Sequence, residues 1–329
     1  MPTRREILSA ASAATVIAAA SRPVSAANHQ GAGAPDLSGK AILITGTSSG
    51  FGHLGALHYA RAGAKVIATM RNLPRPEADA LVKAAKDEGL DLHVVELDVL
   101  DPDSVIGGVA KAERLAGGAL DVIVNNAGIS FGLPVELQDE EAARLMFDTN
   151  VLGYQRVARA ALPGMRDVKR GQVFNVSSQL GRVVIPGFGL YSATKFAVEA
   201  QAEQMAYELA PHGIDVTIIQ PGGYPTAIWE NASANTQTLI DRLSDDEKTA
   251  YQGFIDNATR VGTGGDSDPM DIPRAIAEII AMPAGQRPLR RAVHPVTRPQ
   301  EKINEVSAAT QLAILGDSPY GPMVKAVLG

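Results

Sequence analysis

The chain has 329 residues, 45% hydrophobic and 20% charged, with a mean hydropathy of +0.01, a balance ordinary for a folded soluble protein and unlike that of a disordered one. Thirty Lys and Arg against 36 Asp and Glu leave a net charge of −6, so no global positive field draws in phosphate backbones, and nucleic acid is not an expected partner. The absence of cysteine excludes disulfides, thiolate metal sites and a thiol nucleophile.

The first residues carry Arg4 and Arg5, then Ile7 and Leu8 opening an alanine-rich stretch to Ala20 without a charge. This resembles a signal peptide of the twin-arginine type. As a helix the apolar stretch would reach about 21 Å, short of a hydrocarbon core of about 30 Å, so no membrane anchor is expected. Small residues in Val24-Ser25-Ala26-Ala27 suit cleavage after Ala26 or Ala27. The expected organisation is a signal peptide over 1–26, a linker over 27–38 containing QGAGAP, and a single domain over 39–329. Export to the periplasm follows; the alternative is an alanine-rich leader on a cytoplasmic protein.

Beyond Lys40, short β-branched runs alternate with longer alanine-rich segments, the pattern of βαβ units in a parallel sheet. Strands are predicted at Ala41–Thr45, Lys65–Met70, Leu92–Leu97, Asp121–Asn125, Gln172–Ser177, Asp215–Gln220 and Leu289–Val293. Helices are predicted at Phe51–Ala62, Glu77–Glu88, Ser104–Ala116, Glu140–Met165 and Ser192–Ala210. Asp101-Pro102 supplies a capping acceptor and a first-turn proline for the third of these. The expectation is α/β, a doubly wound Rossmann-type parallel sheet of about seven strands with helices on both faces. From 223 to 269 the rhythm breaks into a polar, turn-rich stretch with the only tryptophan, Trp229, and a helical pattern near Asp245 to Phe254. It reads as a substrate loop or lid, against a plain surface insertion.

The first strand runs into Thr45-Gly46-Thr47-Ser48-Ser49-Gly50-Phe51-Gly52 and then a helix. Missing side chains let a phosphate approach the helix N-terminus, whose free N–H groups favour an anion, so strand, turn and helix together point to a dinucleotide. The spacing is G-x-x-x-G-x-G and not G-x-G-x-x-G. The second strand ends in Arg71, where a carboxylate would hold ribose hydroxyls and an arginine pairs with a 2′-phosphate. NADP is therefore expected over NAD, unless Arg71 is merely a solvated strand-end charge.

Tyr191 and Lys195 lie four apart on a predicted helix and share a face, with Ser178 at the end of the strand before it. A phenol, ordinarily near pKa ~10, is expected to be lowered by the adjacent ammonium and so to exchange protons with a substrate oxygen. A serine hydroxyl nearby would hydrogen-bond the same oxygen.

The glycine turn, Asn125-Asn126-Ala127-Gly128 and the Tyr191/Lys195 pair together resemble the short-chain dehydrogenase/reductase family, in its single-domain branch, over Lys40 to about Thr226. That resemblance implies a catalytic tetrad of Asn150, Ser178, Tyr191 and Lys195, with Asn150 holding a relay water and Lys195 also binding the nicotinamide ribose. It implies a cofactor site from Gly46, Ser48, Gly50, Phe51 and Gly52, with Asp98 and Val99 at the adenine. Asn125, Ala127 and Gly128 would face the adenosine side, and Pro221, Gly222 and Thr226 the nicotinamide. The implied reaction interconverts a carbonyl and a secondary alcohol, and the implied assembly is a homodimer or homotetramer through the helices after Asn150 and Tyr191. A nucleotide sensor or a non-redox relative is the alternative. No metal site is expected from the six scattered histidines, His53 and His58 being five apart. The arginines 287, 290, 291 and 298 read as a solvated face or subunit contact.

Overall fold

The computed structural model describes residues 35–259 and 264–329, and the signal peptide and most of the linker expected at the N-terminus lie outside them. Seven strands, β1 (Ala41–Thr45), β2 (Lys65–Met70), β3 (Leu92–Glu96), β4 (Val122–Asn125), β5 (Gly171–Val176), β6 (Ile214–Pro221) and β7 (Arg290–Val293), form one sheet in the order β3-β2-β1-β4-β5-β6-β7. Every pairing is parallel. Because successive side chains point to opposite faces, Ile42 and Ile44 enter one core while Leu43 between them enters the other.

The first core receives α1 (Gly50–Arg61), α2 (Pro76–Glu88) and, from later in the chain, α10 (Asp271–Ala281), through Ala56, Tyr59, Leu81, Ile276 and Ile280. The second receives α3 (Pro102–Ala116), α5 (Gly153–Asp167) and α6 (Gly189–Leu209) through Val105, Val109, Val157, Ala161 and Ala202. This is a Rossmann-type single domain, as expected. Asp101 caps α3 through Asp103 N at 2.9 Å, with Pro102 in the first turn.

Two predicted elements are corrected. The single helix Glu140–Met165 is α4 (Glu140–Phe147) and α5 joined by a π-helical turn over Asp148–Leu152. The residues on both sides keep a helical apolar spacing, which hides one extra residue in the turn. The stretch after Gly223 holds three helices and not one short one: α7 (Ile228–Ile240), α8 (Asp245–Ala250) and α9 (Gln252–Thr259). The chain closes with α11 (Gln300–Leu315) and α12 (Gly321–Leu328), which the sequence reading did not place. Among the described residues no helix is long and apolar enough to cross a membrane.

The direction of winding reverses between β1 and β4, and the crevice outside the carboxyl ends of these strands is where such folds bind ligands. The glycine turn follows β1 and Asn125-Asn126-Ala127-Gly128 closes β4. Both stand at that reversal.

Candidate active site

Thr45 stitches the two loops together: its Oγ1 accepts from Asn126 N and Ala127 N, each at 3.0 Å, and Asn126 Nδ2 donates to Thr45 O and Gly46 O. The closeness excludes side chains. Gly46 has φ +72° and a Cβ there would lie 2.8 Å from Ala127 Cα; a Cβ on Gly52 would lie 2.4 Å from Gly46 O. Ser49 precedes α1 without a side-chain capping bond, so the N–H groups of Gly50, Phe51 and Gly52 are left for another acceptor. Thr226 stands opposite, its Cβ 3.6 Å from where a Gly50 Cβ would be. An uncapped helix start beside a side-chain-free turn fits a pyrophosphate. The Thr47 amide bonds Thr69 O at 3.1 Å, which brings Ser48 and the end of β2 to the same edge.

Arg71 lies exposed two residues beyond Thr69. Its neighbour Arg75 is spent on Glu77, at 2.8 and 2.9 Å. Half-buried Asp98 accepts from Leu100 N at 3.0 Å, with Val99 buried beside it. Asn125 is fully buried and donates to Asn175 Oδ1 across β4 and β5. Buried Pro221 ends β6, and Gly222 N donates to Val293 O at 3.0 Å. Gly128 sits against the tetrad itself: a Cβ there would be 3.2 Å from Asn150 Oδ1 and 3.9 Å from Lys195 Nζ.

The four residues expected to act together do converge. The Ser178 hydroxyl is close enough to the Tyr191 phenol to favour its ionised form. Lys195 Nζ lies 5.7 Å from the centre of the Tyr191 ring and donates to Val176 O at 2.9 Å. Asn150, in the π turn, grips the loop after β4 with both ends of its amide, accepting from Ile129 N at 2.8 Å and donating to Ile129 O at 2.9 Å. The same amide donates to Thr194 Oγ1 at 3.1 Å and so ties that loop to α6. The π turn aims Asn150 inward where a continuous α-helix would rotate it away.

Burial sets the charge states. It pushes the Tyr191 phenol up to about 12, against the nearby Ser178 hydroxyl, which lowers it. The expected lowering by an ammonium is therefore reversed here: the phenol is 9% exposed, and the Lys195 ammonium is drawn to the Val176 carbonyl. Burial likewise brings the Lys195 amine down to about 8, against the nearby carboxylate of Glu199. At neutral pH the pair is a protonated phenol beside an ammonium.

Three contributors escaped the sequence reading. Tyr154 donates to the same Val176 carbonyl at 3.1 Å and lays its ring 5.7 Å from Lys195 Nζ. Glu199 stands one helical turn after Lys195, a spacing the rule used for Tyr191 and Lys195 would have caught. Gln138 donates to Gly132 O and Leu133 O and accepts from Leu190 N at 3.0 Å, clamping the loop after β4 to the start of α6. The arginine cluster also departs from expectation. Arg290 is buried between Glu199 and Glu203, and Arg287 is mostly buried against Asp215 at 2.8 Å; Arg291 and Arg298 alone stay half-exposed, on Glu278 and Glu301. Acids far away in sequence, brought in by α6 and β6, draw these side chains inward.

Comparison with known proteins agrees with this geometry. The chain is 33% identical over 257 residues to a 3-ketodihydrosphingosine reductase of Bacteroides thetaiotaomicron, covering 78% of this chain and 88% of that protein. The fold is shared with a short chain dehydrogenase/reductase of Burkholderia phymatum solved with NAD, at a TM-score of 0.68 and 22% identity, over 86% of this chain and 97% of that one. It is shared also with a metagenomic short-chain oxidoreductase solved with NADP, at 0.62 and 22%, over 80% and 100%. The short chain dehydrogenase profile matches residues 40–237, and with the identity to the reductase this places the chain in the short chain dehydrogenase family of oxidoreductases.

Proposed function

We propose that the protein is an NADP-dependent oxidoreductase interconverting a carbonyl and a secondary alcohol, with Tyr191 as general acid and base. The observation that carries this reading is the convergence of Ser178, Tyr191 and Lys195 beside a glycine turn whose helix start is uncapped. A bound nicotinamide nucleotide supplies or accepts the hydride. Gly46, Ser48, Gly50, Phe51 and Gly52 hold its pyrophosphate, and Asp98, Val99, Asn125, Ala127 and Gly128 its adenosine side. Lys195, Pro221, Gly222 and Thr226 hold the nicotinamide side.

In reduction, the Tyr191 phenol gives its proton to the substrate oxygen while the Ser178 hydroxyl donates to that oxygen as charge develops. The Lys195 ammonium stabilises the phenolate left behind, and Asn150 fixes the loop and helix that set these distances. In oxidation the phenolate takes the hydroxyl proton. The exposed guanidinium of Arg71, with no carboxylate engaging it among the described residues, suits a 2′-phosphate. Helices α7 to α9, within the 223–269 stretch, act as a lid, with α7 bonded to the loop beside the tetrad through Thr236, which accepts from Gly132 N at 2.7 Å. Self-association through α5 and α6 is part of the same reading, since Phe196 on α6 and Leu152 just before α5 are left exposed.

The test is a fluorescence titration with NADPH and with NADH, followed by carbonyl reduction with whichever binds. Tighter NADPH binding and turnover lost in Tyr191→Phe are expected. Binding of neither nucleotide would refute the reading.

A further inference from the structure

Tyr191 belongs to a buried cluster with Phe131 and Leu133 from the loop after β4, Leu180 after β5, Leu239 from α7 and Ile255 from α9. Polar side chains that enter this region are already engaged with the main chain. Thr236 Oγ1 accepts from Gly132 N and donates to Ala232 O, and the Trp229 indole donates to Tyr224 O at 2.7 Å. Gln138 makes the three bonds described above. Apart from Ser178 and Lys195, what surrounds the Tyr191 side chain in this cluster is hydrocarbon.

The mouth is apolar too. Val184 is 71% exposed and Phe254 36% exposed. Val183 and Ile185, on either side of Val184, pack against the cluster, and a Cβ on Gly187 in the same loop would lie 3.4 Å from the Phe254 ring. The two segments that contribute to this face carry more acids than bases. Between 223 and 269 the sequence has eight acidic and three basic side chains, and between 135 and 148 five acidic and one basic. Two of those bases are paired in place, Arg242 with Asp139 and Glu141 and Arg144 with Glu140, and two of the acids, Asp148 and Asp268, are paired with Arg156 and Arg274. An excess of acids beside a low-dielectric surface disfavours anions and leaves neutral molecules unaffected.

We infer that the substrate is an uncharged, hydrophobic ketone, or the matching secondary alcohol, and not one carrying a carboxylate or phosphate on its chain. This rests on the reading of the site as an oxidoreductase. An apolar chain entering beside Tyr191 exchanges water for the surfaces of Phe131, Leu180 and the lid, whereas a carboxylate there loses hydration and gains no partner.

The single tryptophan lies in the lid, its ring 6.4 Å from that of Phe188 and edge-on to it, and so reports on occupancy apart from turnover. The protein saturated with whichever of NADP+ or NAD+ binds would be titrated with 2-octanone and with 7-oxooctanoate, which differ only in a terminal methyl against a carboxylate. Trp229 emission gives affinity, and reduction of the same pair with NADPH and NADH gives kcat/KM. The neutral ketone should bind at least about tenfold more tightly, and from butanone to 2-octanone kcat/KM should rise roughly threefold per methylene. Val184→Lys should narrow the gap by improving binding of the acid. Equal or tighter binding of 7-oxooctanoate, or no emission change with either compound, would overturn the inference. The expected order of binding without turnover of any ketone would leave the pocket's chemistry standing and overturn the oxidoreductase reading instead.

Discussion

Helix α6 carries two buried charged clusters a turn or two apart, and they are built on opposite terms. Lys195 is 4% exposed and has one carbonyl as hydrogen-bond acceptor, Val176 O; its nearest carboxylate, Glu199, turns away toward other partners. Arg290 meets those partners: its guanidinium bonds Glu199 at 2.8 Å and Glu203 at 2.5 Å, and Gln220 adds a bond to Glu199 at 2.9 Å. Burial alone would lower both cations. For Lys195 it wins, while around Arg290 the two acids more than offset it and the guanidinium is held above its ordinary value. Balanced burial locks a charge in place, and unbalanced burial leaves one that can change state near neutral pH, as proton chemistry requires.

The widest separation between the clusters should appear in turnover. Tyr191→Phe removes the proposed proton donor from the unbalanced cluster and is expected to reduce carbonyl reduction by about 10³-fold or more, with nucleotide affinity and unfolding midpoint retained. A comparable loss of stability would show that the phenol serves packing. Arg290→Met reverses the pattern: two carboxylates stay buried without their cation, at a cost of about 3–5 kcal/mol in urea unfolding, and Glu199→Gln with Glu203→Gln in that background should recover part of it. A loss under 1 kcal/mol would mean that water reaches the cluster.

A third test sharpens the comparison through pH. The Lys195 amine is near 8 in the folded chain and ordinarily near 10.5, so from pH 8 to 10 the unfolded chain binds the extra proton. Stability should therefore rise across that window, by roughly 2 kcal/mol at 1.36 kcal/mol per unit. The rise should be absent in Lys195→Met. Above pH 10 the raised phenol of Tyr191 acts with the opposite sign, since the folded chain then holds the proton longer. The smallest effect belongs to a third cation, solvent-exposed Arg71: Arg71→Ala should weaken NADPH by about tenfold and NADH hardly at all. Equal losses would assign it no role at the 2′-phosphate.

What could be read from sequence follows the same division. Strands, the glycine turn and the Tyr191/Lys195 pair are local patterns, in which the residues that fix the geometry are neighbours along the chain. The Arg290 cluster joins residues 91 and 87 positions apart, and the bond from Gly132 to Thr236 spans 104, so neither leaves a local trace. Helix α11 buries only Gln300, which gives no apolar stripe by which to recognise it. The phenol's direction was misread because sequence shows which charge is adjacent and not how much water both groups have lost.

The π turn at Asp148–Leu152 sets a phase. Before it, Ala142 and Met146 on α4 pack in the apolar cluster around Tyr191; after it, Val157, Ala158 and Ala161 on α5 pack against the sheet. One additional residue in the turn rotates the second helix by about 100° relative to an uninterrupted one, which lets a nearly continuous helical segment address two cores in succession. Deleting a single residue there would bring the two helices back into step, and either Asn150 would swing away from Ile129 or the Val157 face would leave the sheet. The segment is thus a splice whose reading frame is kept by geometry.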